Sequence, residues 1–399
     1  MDPKENPVGQ RKVTGRDGLD ALIVALRGDG FDVIGPRVRD GAVVLESLDG
    51  ADDLPWGWAD EQEGGRYRLV RDDSGAAFAH VVGPHSWKKH LFPARQLLWR
   101  GDRRGSGFTI TAPDETPRPT AFLGVRGCDL AAIAIQDRVF GVERPDGGPA
   151  TVTEPGYAGR RAAAFIVAVN CARSAATCFC ESMGTGPAAG PGYDLALTEL
   201  IGANHHAFLV EAGSPAGARL LERLPGKTAT AACDAAAAQA VEGARAGQTR
   251  RMVDGVAGLL ADNLEHPRWA EVAQRCLSCA NCTMVCPTCF CSTVEDTTDL
   301  SGDHAERWKR WDSCFTLEHS YIHGGAIRRE PRSRYRQWLS HKLSTWHDQF
   351  GTSGCTGCGR CITWCPVGID ITEEARAIHA HPLHAQGTDD GGGNTTRGA

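Results

Sequence analysis

Four cysteines spaced C-x2-C-x2-C-x3-C and closed by proline restrict a chain more than any hydropathy pattern does, and this sequence carries that spacing twice. The first run is Cys276-Leu-Ser-Cys279-Ala-Asn-Cys282-Thr-Met-Val-Cys286-Pro287, and the second is Cys355-Thr-Gly-Cys358-Gly-Arg-Cys361-Ile-Thr-Trp-Cys365-Pro366. Three closely spaced thiolates suit three irons of one cubane, while the fourth cysteine of each run ligates the neighbouring cubane in two-cluster ferredoxins. The proline cannot continue the loop's hydrogen bonding, so the chain turns there. Structural zinc sites ask for two pairs and a tetrahedral arrangement, which two identical four-cysteine runs do not match. The reading is therefore two 4Fe-4S clusters with crossed ligands. One takes Cys276, Cys279, Cys282 and Cys365; the other takes Cys355, Cys358, Cys361 and Cys286. A run that supplies its own fourth thiol is the alternative.

The 399 residues leave room for two domains, and the net charge of −6 gives no general attraction to nucleic acid. Sixteen cysteines would imply disulfides in an exported protein. The amino-terminal Met-Asp-Pro-Lys-Glu-Asn-Pro has no apolar core of an export signal, and the longest apolar run, Ala163–Val169, is strand-sized. The expectation is a cytoplasmic protein without a membrane span, whose thiols are metal ligands in a reducing compartment.

Along the chain the pattern predicts a mixed α/β domain followed by a mostly helical, ferredoxin-like dicluster domain. The expected divisions are a flexible tail (1–15), the α/β domain (16–227), a linker in the alanine-rich stretch (228–249), the dicluster domain (250–380) and a disordered tail (381–399). Leu19, Leu22, Ile23 and Leu26 follow helical spacing up to Gly28. Phe31–Ile34 and Ala42–Leu45 read as strands, and residues 50–65 as loop. Tyr67–Val70 reads as a strand paired with Ala77–Val82, and Lys88–Trp99 as a helix. Ala121–Val125 and Ala163–Val169 read as buried strands flanking a helix over Asp129–Val139, a parallel crossover that puts Cys128 and Cys171 at neighbouring carboxyl ends.

Those two cysteines belong to a second signal. Asn170-Cys171-Ala-Arg-Ser-Ala-Ala-Thr177-Cys178-Phe179-Cys180 aligns without gaps to Asn281-Cys282-Thr-Met-Val-Cys286-Pro-Thr288-Cys289-Phe290-Cys291; both read N-C-x5-T-C-F-C. With Cys128, the first copy supplies four thiols for a third iron–sulfur cluster, against the plainer reading of buried inert thiols. Cys289, Cys291 and Cys314 remain; without a fourth ligand they read as packing groups or supports for other ligands. Arg328, Arg329, Arg332, Arg334, Arg336 and Lys342 form a basic segment, either a solvated face or a source of charge balancing the anionic clusters. No G-x-G-x-x-G fingerprint, Walker loop or serine-nucleophile motif is present, so neither a dinucleotide seat nor a catalytic residue is expected.

The extended run Cys276–Cys291, with Gly124-Val-Arg-Gly-Cys128-Asp-Leu, Thr177-Cys-Phe-Cys-Glu-Ser-Met-Gly184, Trp311-Asp-Ser-Cys314 and Cys355-Thr-Gly-Cys-Gly-Arg-Cys361, resembles the β subunit of cytoplasmic nickel–iron sulfhydrogenases and the related A subunit of anaerobic sulfite reductase. The resemblance implies an electron-carrying subunit of an oxidoreductase, partnered by a flavin- and NAD(P)-binding reductase subunit and by hydrogenase or sulfite reductase catalytic subunits. Two readings of other classes are an autonomous iron–sulfur enzyme with a substrate at an amino-terminal cluster, and a structural or sensory cluster protein.

Overall fold

Leu19, Leu22, Ile23 and Leu26 all lie buried on one face of the helix Arg16–Gly28, as their spacing requires. They cover an eight-stranded sheet in a computed structural model that describes residues 8–113, 116–142, 152–202 and 205–383. The strands in chain order are β1 (Arg11–Thr14), β2 (Asp32–Arg39), β3 (Ala42–Ser47), β4 (Trp58–Glu63), β5 (Arg66–Arg71), β6 (Arg95–Arg104), β7 (Gly107–Thr111), β8 (Thr120–Val125), β9 (Ala164–Val169), β10 (Leu195–Gly202), β11 (His205–Ala212), β12 (Lys227–Thr228), β13 (Ser292–Thr298), β14 (His304–Trp311), β15 (Tyr321–Ile322) and β16 (Gly325–Ala326). The large sheet runs β12-β1-β11-β10-β9-β8-β2-β3. Its centre, β10-β9-β8-β2, is parallel and its edges are antiparallel.

The central strands read as near-continuous apolar runs because both faces are covered. Ala121, Leu123, Val167 and Val169 pack under the first helix, whereas Phe122, Val125 and Ile166 face Leu130 and Ile133 of the helix Gly127–Val139. A bulge at Gly124 shifts the register between Leu123 and Val125 and turns Val125 to the second face. Arg11–Thr14, grouped above with a flexible tail, is instead a sheet strand tied to β11 and β12. Residues 1–7 and 384–399 of the two expected tails lie outside the described residues. The alanine-rich stretch is a helix, Ala231–Ala246, packed on β10 and β11.

Three local expectations are corrected. Residues 58–63 form β4 rather than loop, because Asp60 and Gln62, polar but inward-pointing, find partners inside: Asp60 accepts from Val81 N–H and Gln62 donates to Val82 O. Tyr67–Val70 pairs with β4, not with Ala77–Val82, whose buried backbone amides at Ala77 and Phe78 instead donate to the Glu199 carboxylate. Only Lys88–Leu91 is helical within Lys88–Trp99; past Pro93 the chain extends into β6.

The carboxyl-terminal half is helical around the cysteine runs, with Trp269, Tyr335, Trp338, Leu343, Ile362 and Ile378 in its core. The insertion between the runs also contains the hairpin β13–β14, which joins β6 and β7 in one four-stranded sheet, β13-β14-β6-β7. Arg95 stacks on Trp308 at 3.8 Å across that seam. The two halves of the chain thus share a sheet.

Candidate iron–sulfur centres

The loop after the helix Arg268–Arg275 carries Cys276 and Cys279, and the short helix Asn281–Met284 that follows carries Cys282. They line one pocket together with Cys365, from beyond the short helix Arg360–Thr363, and Cys361 borders it. Phe315, Tyr335, Trp338, Ile369 and Ile371 form its apolar wall. Backbone amides aim at the sulfurs: Ser278 N–H donates to Cys276 Sγ at 3.4 Å and Ile369 N–H to Cys365 Sγ at 3.3 Å. Burial, and then the nearby sulfurs of Cys276 and Cys365, push the Cys282 thiol well above its ordinary value. Such a thiol ionises only against strong positive charge, which iron supplies. Four thiols, an apolar shell and amide donors on sulfur fit a cubane.

In the second run Cys355 and Cys358 are buried, and the Gly357 amide donates to Cys355 Sγ at 3.4 Å. The partner thiol here is Cys286, whose charge is felt by Cys355, Cys358 and Cys361 alike. Lys342, 3% exposed, donates to Cys286 Sγ at 3.3 Å, Thr288 Oγ1 at 3.0 Å and Gly354 O at 3.1 Å. Burial works against this ammonium, yet the sulfurs of Cys286, Cys289 and Cys355 hold it well above its ordinary value. It is a fixed positive charge placed against a site that becomes anionic when four thiolates bind iron.

Cys128 opens the helix after β8 and Cys171 follows β9. Cys128, Cys178 and Cys180 pack with Cys358 in one buried cluster, and Cys171 lies within electrostatic reach of Cys178 and Cys180. All four are buried. The contact with the second run is backbone to backbone: Phe179 N–H donates to Gly357 O at 2.9 Å. Gly357 and Gly359 both have positive φ, and a Cβ on either would lie within 2.6 Å of the backbone of Thr177–Cys180. That approach requires glycine at both positions. Gln248 Nε2 donates to Cys180 Sγ at 3.3 Å, and Arg126 Nη1 lies 3.9 Å from Cys171 Sγ. Arg360 of the second run reaches across to Asp129, next to Cys128, in a bidentate pair of 2.7 and 2.9 Å with both side chains fully buried.

Charge balance was one of the two readings of the basic segment, and Lys342 is a member that meets a cysteine sulfur; Arg360, inside a cysteine run, was not singled out. The basic segment is not one face. Arg334 is buried on Phe315 O, Arg332 and Arg336 pair with Glu265 at the surface, and Lys342 points to Cys286. Cys291 lies in hydrogen-bonding contact with Cys314 and with His319, and Cys289 with Cys286. Among the described residues, no three His, Cys, Asp or Glu side chains converge on a single metal ion. Cubane thiolates need not do so, since each binds a different iron.

Two cysteine runs of ferredoxin spacing, each with a cysteine of the other beside it, mark a 4Fe-4S dicluster protein, and residues 275–369 match the family of 4Fe-4S dicluster domains. Over 260 residues the chain is 34% identical to sulfhydrogenase 2 subunit beta of Pyrococcus furiosus, spanning 63% of this chain and 73% of that one. It belongs to the sulfhydrogenase β-subunit family. No solved structure matches the chain. Among the described residues, no helix is long and apolar enough to cross a membrane.

Proposed function

We propose that this chain relays electrons in a cytoplasmic multisubunit oxidoreductase, between a flavin- and NAD(P)-binding subunit and a nickel–iron hydrogenase subunit. When bound, cubanes accept and release one electron at a time, so a flavin elsewhere must divide the pair carried by a nicotinamide. The ligands are Cys276, Cys279, Cys282 and Cys365 for one cluster and Cys355, Cys358, Cys361 and Cys286 for the next. Cys128, Cys171, Cys178 and Cys180 hold a third. The observation that carries this reading is the contiguity of the thiols. Cys361 borders the pocket of the first set, and Cys358 packs against Cys128, Cys178 and Cys180. The chain's own residues keep that path dry and balance its charge through Lys342 and Arg126, while the neutral Arg360–Asp129 pair ties the second run to the helix of Cys128.

The test is anaerobic mixing with NAD(P)H, first of the chain alone and then with the flavin subunit purified from the same complex. The chain alone should stay oxidised, and the flavin subunit should allow NAD(P)H to bleach the cluster absorbance. Rapid reduction of the isolated chain, free of added flavin, would overturn the relay. A sirohaem protein in place of a nickel–iron subunit in the purified complex would move the assignment to sulfite reduction.

A further inference from the structure

The second copy of N-C-x5-T-C-F-C ends in two cysteines, Cys289 and Cys291, that neither ferredoxin run uses. Thr288 donates to Gly354 O at 2.6 Å, just before Cys355. In the first copy, Thr177 meets Thr363 at 2.8 Å, just beyond Cys361. The two T-C-F-C segments therefore flank the same cysteine loop. The first brings its two cysteines to Cys128; the second brings Cys291 to Cys314, which follows β14. The Cys291 thiol also contacts His319. Asp312 Oδ2 lies 3.1 Å from His319 Nδ1, the arrangement by which a carboxylate fixes a ligating imidazole and leaves its other nitrogen for metal.

Charge gives an independent argument. Lys88 is 3% exposed, donates to Cys289 O at 3.1 Å and Thr283 O at 3.4 Å, and lies 3.9 Å over the Trp311 ring. The opposite charges acting most strongly on it are sulfurs, Cys289 first, and no ion pair to a carboxylate is found for it among the described residues. A buried ammonium costs several kcal/mol unless an anion faces it. Lys342 feels the Cys286 sulfur first and Cys289 next, and Lys88 feels Cys289 first and Cys286 next, so two buried ammoniums share these sulfurs and a single cluster at Cys286 leaves the second without an anion of its own. Three thiolates and a neutral imidazole on a dicationic cubane leave one negative charge, which one buried lysine matches.

We infer that Cys289, Cys291, Cys314 and His319 hold a further 4Fe-4S cluster, with Lys88 as its counter-charge. The inference rests on the chain being an iron–sulfur carrier, but not on its electron partners or on the amino-terminal cluster. A single tetrahedral ion is disfavoured, since no three of these donors converge on one point.

The experiment compares the anaerobically prepared full chain with Cys314→Ser and His319→Cys, reading iron and labile sulfide per chain and the Mössbauer spectrum. Cys314→Ser should lose about four irons and about four sulfides relative to the unaltered chain, with the signals of the other centres retained. His319→Cys should keep its iron and shift the signal of one centre, because sulfur replaces nitrogen on one iron. Unchanged iron in Cys314→Ser, or an unchanged spectrum in His319→Cys, overturns the site. So does loss of one zinc instead of iron, which would mark a single-ion site. Rapid alkylation of Cys291 in the iron-loaded chain overturns it too, in favour of a reactive thiol. If Cys314→Ser does not fold, the His319→Cys spectrum decides alone. The reading is a difference between protein and variant, so failure of the flavin experiment leaves it standing, and its own failure leaves the relay standing.

Discussion

The two ferredoxin-type runs share one spacing and live in opposite surroundings. In the first, Cys279 is exposed and Leu277 is 63% exposed, so one wall of the Cys276–Cys365 pocket meets solvent. In the second, Thr356, Cys358, Arg360 and Thr363 are all buried, roofed by Thr177–Cys180 and flanked by Thr288. The spacing prepares thiols for iron; what packs over them decides who can approach. Of the two runs, the first is the one with an exposed cysteine and exposed residues between its cysteines. The second sits inside, where fixed charges act strongly because water does not screen them.

The largest effect expected follows from the crossing of the runs. Cys365→Ala should destroy or degrade the cluster of the open pocket and spare that of Cys355, Cys358 and Cys361, although Cys365 belongs to their run. Paramagnetic resonance of the reduced protein would lose one of its 4Fe-4S signals, replaced on oxidation by a three-iron signal. If the altered signal belongs instead to the Cys355 set, each run is self-contained and the comparison between open and covered pockets loses its basis.

Next in size is the buried pair at the covered run. Arg360 and Asp129 have side chains 2% and 4% exposed, and Arg360 also donates to Gly83 O and His85 O. Arg360→Gln leaves the Asp129 charge unpaired in the interior and should destabilise the protein by about 3–5 kcal/mol. Thermal or denaturant unfolding of the cluster-loaded chain measures this. The double variant Arg360→Gln, Asp129→Asn should lose less than the two single losses combined, because the stranded charge is gone. Additive losses would mean that the pair is not coupled.

Much of this contrast was legible in the sequence as residue types and little of it as surroundings. The apolar runs of β8 and β9 announced a parallel crossover, and the position of Cys128 and Cys171 at its carboxyl ends followed. β4 was not legible, since Asp60 and Gln62 look like surface residues until Val81 and Val82 are seen opposite them. β13 has one apolar residue, Val294, and the apolar residues of β14, Ala305, Trp308 and Trp311, recur every third position rather than every second; their partner β6 lies about two hundred residues away in the chain, and local pattern carries no sign of so distant a pairing. The cysteines were conspicuous. The cations that balance them were not, because a lysine inside a basic segment looks the same whether it meets solvent, as Arg336 partly does, or sulfur, as Lys342 does.

That ambiguity yields the smallest predicted effect and the sharpest use of the contrast. Arg336 pairs with Glu265 at 2.5 Å, with side chains 29% and 70% exposed. Solvent screens such a pair, so Arg336→Ala should change stability by no more than about 1 kcal/mol, and by less as salt is raised. It should leave the midpoint potentials of the clusters unmoved. Lys342→Met, nearly isosteric and six residues further on, should lower the potential of the cluster at Cys286, since the reduced form gains an electron that the ammonium no longer offsets. Potentiometric titration of both variants at two salt concentrations separates the cases. A shift on altering Arg336 comparable to that at Lys342 would mean that the surface arginines also set the field at the clusters. Distance from water would then no longer be what distinguishes the two runs.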